Sequence, residues 1–166
     1  LIKSDTFCML PWQHIHAFPD GRAYPCCFSL DRYPVGDLNK DSMETVFNGT
    51  DMKQMRLNML ANKPSKQCNK CYDQEKSGFF SLRLSSNKHF GHNIGMVENT
   101  QADGSADFVI KYWDIRFSNL CNLACRSCGT WFSSNWYEDH KKLTGKPPEH
   151  AKIMRVGRSS NDIWEQ

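Results

Sequence analysis

The stretch QHIHAFPDGRAYPC, residues 13–26, sets the architecture. His14, His16 and Phe18 alternate with Ile15 and Ala17, the two-residue period of a strand. Pro19-Asp20-Gly21 then supplies a turn, because proline presets the first dihedral, aspartate tolerates the second and glycine can take positive φ. The segment therefore predicts a β-hairpin whose returning strand ends at Cys26. Cys8 lies just before the outgoing strand, with Pro11 available to bend the chain. Cysteines far apart in sequence can thus share one site.

The 166 residues allow one or two small domains. Lys plus Arg number 21 against 18 Asp plus Glu, so the net charge of +3 marks neither a nucleic-acid nor a membrane surface. No apolar run is long enough for a membrane span, and the start LIKSDTF lacks the pattern of a signal peptide. A cytoplasmic location is expected. Eight cysteines are too sparse for a disulfide scaffold, which needs more than about 8–10%. Their grouping as Cys8, Cys26-Cys27, Cys68-x2-Cys71 and Cys121-x3-Cys125-x2-Cys128 points to metal in a reducing compartment.

Asp41 and Glu44, spaced like a capping box, open a short helix to about Phe47. A second helix from about Asp51 carries Met52, Met55, Met59 and Leu60 on one face and stops before Pro64. Cys68 and Cys71 form a knuckle, and a third helix covers Phe79 to His89. The run 91–107 is rich in Gly, Asn and Asp and reads as an exposed linker. FVIKYWDIRF, residues 108–117, reads as a well-buried strand leading into CNLACRSC. Ser133 caps a helix to about Leu143, and a further helix opens at Asn161 or Asp162. The division is an N-terminal domain (1–90), a linker (91–107) and a truncated second unit (108–166).

Three thiolates on one strand-to-helix loop can hold three corners of a [4Fe-4S] cubane and leave the fourth iron open to a small molecule. With this loop following WDIRFSN, the segment resembles the signature of the radical S-adenosylmethionine (radical SAM) superfamily. The resemblance implies that Cys121, Cys125 and Cys128 ligate the cluster and that S-adenosylmethionine chelates the open iron. It further implies reductive cleavage to methionine and a 5'-deoxyadenosyl radical. Ser127 stands where the family usually has an aromatic residue.

The N-terminal cysteines, with Gly21 four residues before Cys26, resemble the SPASM/twitch auxiliary-cluster domains of some radical SAM enzymes. That resemblance implies one auxiliary [4Fe-4S] cluster on Cys8, Cys26, Cys68 and Cys71, of the shorter twitch type, since no cysteine follows between Cys71 and Cys121. Adjacent strand residues face opposite ways, so Cys27 is expected to be a buried packing residue, with ligand exchange as the rival. Two alternatives stay open: a four-cysteine zinc site in an interaction module, and an iron-sulfur electron-transfer protein. His14 and His16 are expected to make ordinary hydrogen bonds, Asp114 and Arg116 to share a strand face, and Asn119 and Asn122 to shape the loop.

The expected fold is a small α+β metal-binding domain followed by the first strand-loop-helix unit of an α/β barrel. From Trp113 onward there is room for less than two of the eight units of about 30 residues that such a barrel needs. The family's GGE-type motif is also missing. The sequence therefore reads as the N-terminal portion of a longer radical SAM enzyme, without activity of its own. By the resemblance, the partners are an external electron donor such as a flavodoxin or ferredoxin and a peptide or protein substrate.

Overall fold

A computed structural model describes residues 4–156, and the helix expected at Asn161 or Asp162 lies outside them. β1 (His14–Ala17) and β2 (Arg22–Tyr24) form the expected antiparallel hairpin, with His16 opposite Tyr24. Its turn closes as Phe18 N–H donates to the Arg22 carbonyl at 3.0 Å, while Gly21 takes φ 90°, a conformation that strains any side chain. β3 (Gly36–Asp37) pairs antiparallel with β2. β4 (Tyr112–Ile115) pairs parallel with β1, His14 lying opposite Tyr112 and His16 opposite Asp114. The sheet order is β3-β2-β1-β4.

The result is a mixed α+β fold. The strand expected over 108–117 is only four residues long and lies at the sheet edge, with Tyr112 and Trp113 exposed rather than buried. No further parallel strand flanks it among the described residues, whose one sheet is this four-stranded one.

α1 (Met43–Phe47) is capped by Ser42, not Asp41: the Ser42 hydroxyl accepts Thr45 N–H at 3.1 Å. α2 (Thr50–Leu60) buries Met52, Met55 and Met59 as the spacing predicts, while Leu60 is exposed. The expected knuckle residues Cys68 and Cys71 lie where a 3-10 turn (Lys66–Cys68) runs into α3 (Asn69–Lys76). α4 (Leu82–Phe90) starts at its Ser81 cap, which leaves Phe79 and Phe80 outside it and exposed. α5 (Gly95–Glu98) follows, and beyond β4 a 3-10 turn (Ser134–Trp136) leads into α6 (Tyr137–Thr144).

The core gathers Phe7, Met9, Trp12, Ile15, Leu38 and Phe47 around the α2 methionines. Residues 91–107 pack onto it instead of running free, with Val97 and Ala106 buried. Arg56 organises this contact from a position with 0% exposure. Its Nε donates to the Pro11 carbonyl (2.9 Å), Nη1 to Asn48 Oδ1 (3.0 Å) and the Gly104 carbonyl (3.1 Å), and Nη2 to the Phe47 carbonyl (2.8 Å). The guanidinium also lies 4.2 Å over the Phe47 ring. Burial brings its pKa down to about 10. The segment 99–105 thus supplies the Gly104 carbonyl as an acceptor for a buried cation, which composition alone does not reveal.

Candidate metal centres

All eight cysteines are free thiols. Four of them meet from separate elements. Cys8 precedes β1, Cys26 follows β2, Cys68 caps α3 and Cys71 sits in its first turn. Cys8 lies within electrostatic reach of Cys68 and Cys71, Cys26 within reach of Cys8 and Cys68, and Cys68 within reach of Cys71. Burial is the main cause of the raised pKa of each, with Cys68 pushed up to about 12, and the neighbouring sulfurs add to the rise at Cys8, Cys26 and Cys68. Metal-free, this pocket holds protonated thiols. A cation is what would turn them into thiolates together.

Backbone N–H groups also favour the thiolates: that of Leu10 at Cys8, that of Phe28 at Cys26 and that of Arg83 at Cys71. Arg83 is a residue the sequence did not single out. It is 5% exposed and its positive charge favours the thiolates of Cys8, Cys68 and Cys71. Glu75 holds it in place through Nε at 2.9 Å and a second, shorter contact to Nη2, and the Phe7 carbonyl takes Nη1 at 2.9 Å. Only a lone arginine in an unremarkable helix marks it in the sequence.

Cys27 is within electrostatic reach of Cys26 only among the four. The turn after Pro25 is not strand, and Cys27 is exposed rather than buried, within electrostatic reach of Asp114 and Arg116. Among the described residues, no three His, Cys, Asp or Glu side chains are grouped for a single metal ion.

Cys121, Cys125 and Cys128 share one loop, with Cys125 exposed and the other two half-buried. The Cys128 N–H donates to the Cys125 carbonyl at 2.9 Å, and the Leu123 N–H reaches Cys121 Sγ at 3.4 Å. The loop is anchored by Asn119, which is fully buried. Its Nδ2 donates to the Tyr137 hydroxyl (2.8 Å) and the Lys152 carbonyl (3.0 Å), and its Oδ1 accepts Met154 N–H at 2.8 Å. Ser133 Oγ ties the loop to the Leu123 carbonyl at 2.7 Å. Asn119 thus shapes the loop as its type suggests, and Asn122 takes part only through its carbonyl, which Asn135 approaches at 3.4 Å.

His14 and His16 are buried in β1, where the Nδ1 of each bonds across to β4: to the Tyr112 carbonyl at 2.8 Å, and to the Asp114 carbonyl (3.1 Å) and carboxylate (2.9 Å). These bonds place the proton on Nδ1, and neither Nε2 has a partner among the described residues. Burial lowers the pKa of His14 to about 4 and that of His16 in the same direction.

Comparison with known families bears on the first thiol set. Residues 8–72 match the model of SPASM, an iron-sulfur cluster-binding domain. The matched segment opens on Cys8 and closes one residue past Cys71, so it contains the four converging cysteines and Cys27. No curated protein and no solved structure matches the chain. Residues 8–72 are thus similar to an iron-sulfur cluster-binding domain, and no helix of the described residues is long and apolar enough to cross a membrane.

Proposed function

We propose that Cys8, Cys26, Cys68 and Cys71 bind one auxiliary [4Fe-4S] cluster, and that Cys121, Cys125 and Cys128 bind a second with one open iron, as part of a radical SAM enzyme. The observation that carries the reading is that four cysteines from separate elements, each buried or half-buried and within electrostatic reach of at least one other, lie inside the segment that matches an iron-sulfur domain. The donor set fits the auxiliary group, since a thiolate-ligated cluster is anionic overall and the Arg83 cation and nearby backbone N–H groups favour thiolates here. The three thiols of the second site lie on one loop with open access, as a site that must admit a small molecule requires.

When bound, the second cluster would supply the electron that cleaves the sulfonium of S-adenosylmethionine. The chain's own residues do the positioning. Asn119 and Ser133 fix the loop, and β4 sets its origin against β1, next to the auxiliary site. When bound, the auxiliary cluster would supply a binding point for a peptide or protein substrate or a relay for an electron from a flavodoxin or ferredoxin donor.

Anaerobic reconstitution followed by metal analysis tests this. About eight irons per chain are expected, falling to about four when Cys121, Cys125 and Cys128 are all replaced by Ala. Unchanged iron in that triple variant would remove the second site from the proposal. Stoichiometric zinc without iron would replace the whole reading with a zinc-stabilised module.

A further inference from the structure

A cleft of about 310 Å3 lies between the hairpin turn and the segment that follows the second cysteine loop, lined by Phe18, Arg22, Asp31, Trp131 and Phe132. We propose that it binds a free α-amino acid with an apolar side chain, its carboxylate on Arg22 and its ammonium on Asp31. This goes beyond the cluster chemistry and does not depend on it.

Arg22 is tied to the hairpin turn by Asp20. Its Nε donates to Asp20 Oδ2 at 2.7 Å, and the other Asp20 oxygen takes the Arg22 backbone N–H at 3.1 Å. One face of the guanidinium meets Phe18 at 5.8 Å and another ring, Trp131, lies at 5.6 Å. The side chain is thus held at one edge, with two rings beside it. Nη1 and Nη2 have no hydrogen-bond partner among the described residues. A preorganised fork with two free donors fits a carboxylate in bidentate fashion and loses little entropy on binding.

Asp31 selects among oxyanions. Its carboxylate has no cationic partner among the described residues, and its carbonyl is pinned by the Tyr24 hydroxyl at 2.7 Å. A second negative group beside Arg22 opposes a phosphate dianion and favours a ligand that carries its own cation, which a zwitterion does. The remaining walls are aromatic and braced from behind. Trp131 stacks on His150 at 4.3 Å, and Phe132 lies 5.6 Å from Phe18 with the Arg116 guanidinium 4.3 Å over its ring. They give an apolar side chain a rigid surface. The volume sits at the small end of the about 300–1,000 Å3 typical of ligand pockets, as an amino acid needs.

Calorimetric titration of the full chain tests the assignment, using L-phenylalanine, 3-phenylpropionate, phenethylamine and inorganic phosphate as probes. Saturable binding of L-phenylalanine is expected, with each of the other three at least about tenfold weaker. Arg22→Lys keeps the charge but not the fork and should weaken L-phenylalanine by about tenfold. Asp31→Asn should weaken L-phenylalanine and leave 3-phenylpropionate no weaker. Circular dichroism melts check that each variant folds. Should Arg22→Lys not fold, Trp131→Ala, at a 40% exposed position, must lose binding in its place. No saturable heat with L-phenylalanine, phosphate binding as well as L-phenylalanine, or full binding by the folded variants would each overturn the proposal.

Discussion

Replacing Arg56 with Met keeps most of the volume and removes four hydrogen bonds. Asn48 Oδ1 retains the Ala106 N–H at 3.1 Å, so it stays satisfied. The carbonyls of Pro11, Phe47 and Gly104 lose the Arg56 donor inside the core. A stranded buried acceptor costs about 1–3 kcal/mol, and relief from burying a cation offsets part of the sum. The low end for all three gives about 3 kcal/mol. For a chain of this size each kcal/mol lowers Tm by about 2–4 °C, so a fall of about 6–12 °C is expected. Scanning calorimetry of metal-loaded protein reads the shift, and amide hydrogen exchange reads whether residues 97–106 open first. Arg56→Lys should recover only part, because one ammonium cannot reach all four acceptors. A Tm within about 2 °C of wild type, or unchanged protection at 97–106, would refute the idea that this cation binds the segment to the core.

Three further outcomes follow from the sites. Burial holds the His14 pKa near 4 against an ordinary 6.5, so the unfolded chain takes up a proton first. The stability this represents is complete above about pH 6.5 and falls by about 3 kcal/mol as pH drops to 4. Denaturant unfolding at pH 7 and 4.5 should show a smaller difference for His14→Phe than for wild type, and equal differences would count against it. Arg83→Met should make the auxiliary cluster's reduction potential more negative, because a cation near three of its sulfurs is gone. Redox titration showing no shift would place Arg83 outside its influence. Cys26→Ala should lose the auxiliary iron while Cys27→Ala keeps it, since Cys26 sits with Cys8 and Cys68 and Cys27 faces Asp114. Iron analysis giving the reverse would exchange the two roles.

What could be read in the sequence was local. Strict alternation and a Pro-Asp-Gly turn specify the hairpin without help from elsewhere, and Met52, Met55 and Met59 reveal a buried helix face by spacing alone. The misread elements depend on distant partners. Residues 91–107 look like a linker because their side chains are polar, yet their order comes from Arg56 and Asn48 on other elements. Tyr112 to Ile115 have the composition of a buried strand but take the outer position beside β1, a placement set by long-range pairing. The cysteine groups were visible as metal-ligand patterns, whereas the separation of Cys26 from Cys27 depends on the turn after Pro25, which spacing does not specify.

The parallel pairing of β1 with β4 has a consequence for synthesis. His14 finds its neighbour Tyr112 only 98 positions later. Until then the emerging chain carries the completed hairpin with one side of β1 open, its Gln13 and Ala17 carbonyls awaiting the N–H groups of Tyr112 and Arg116. At about 5–20 residues per second on the ribosome, that edge stays unpaired for about 5–20 s. An open edge is a template for strands of other chains, so recombinant protein truncated before residue 112 should aggregate more readily than the longer chain.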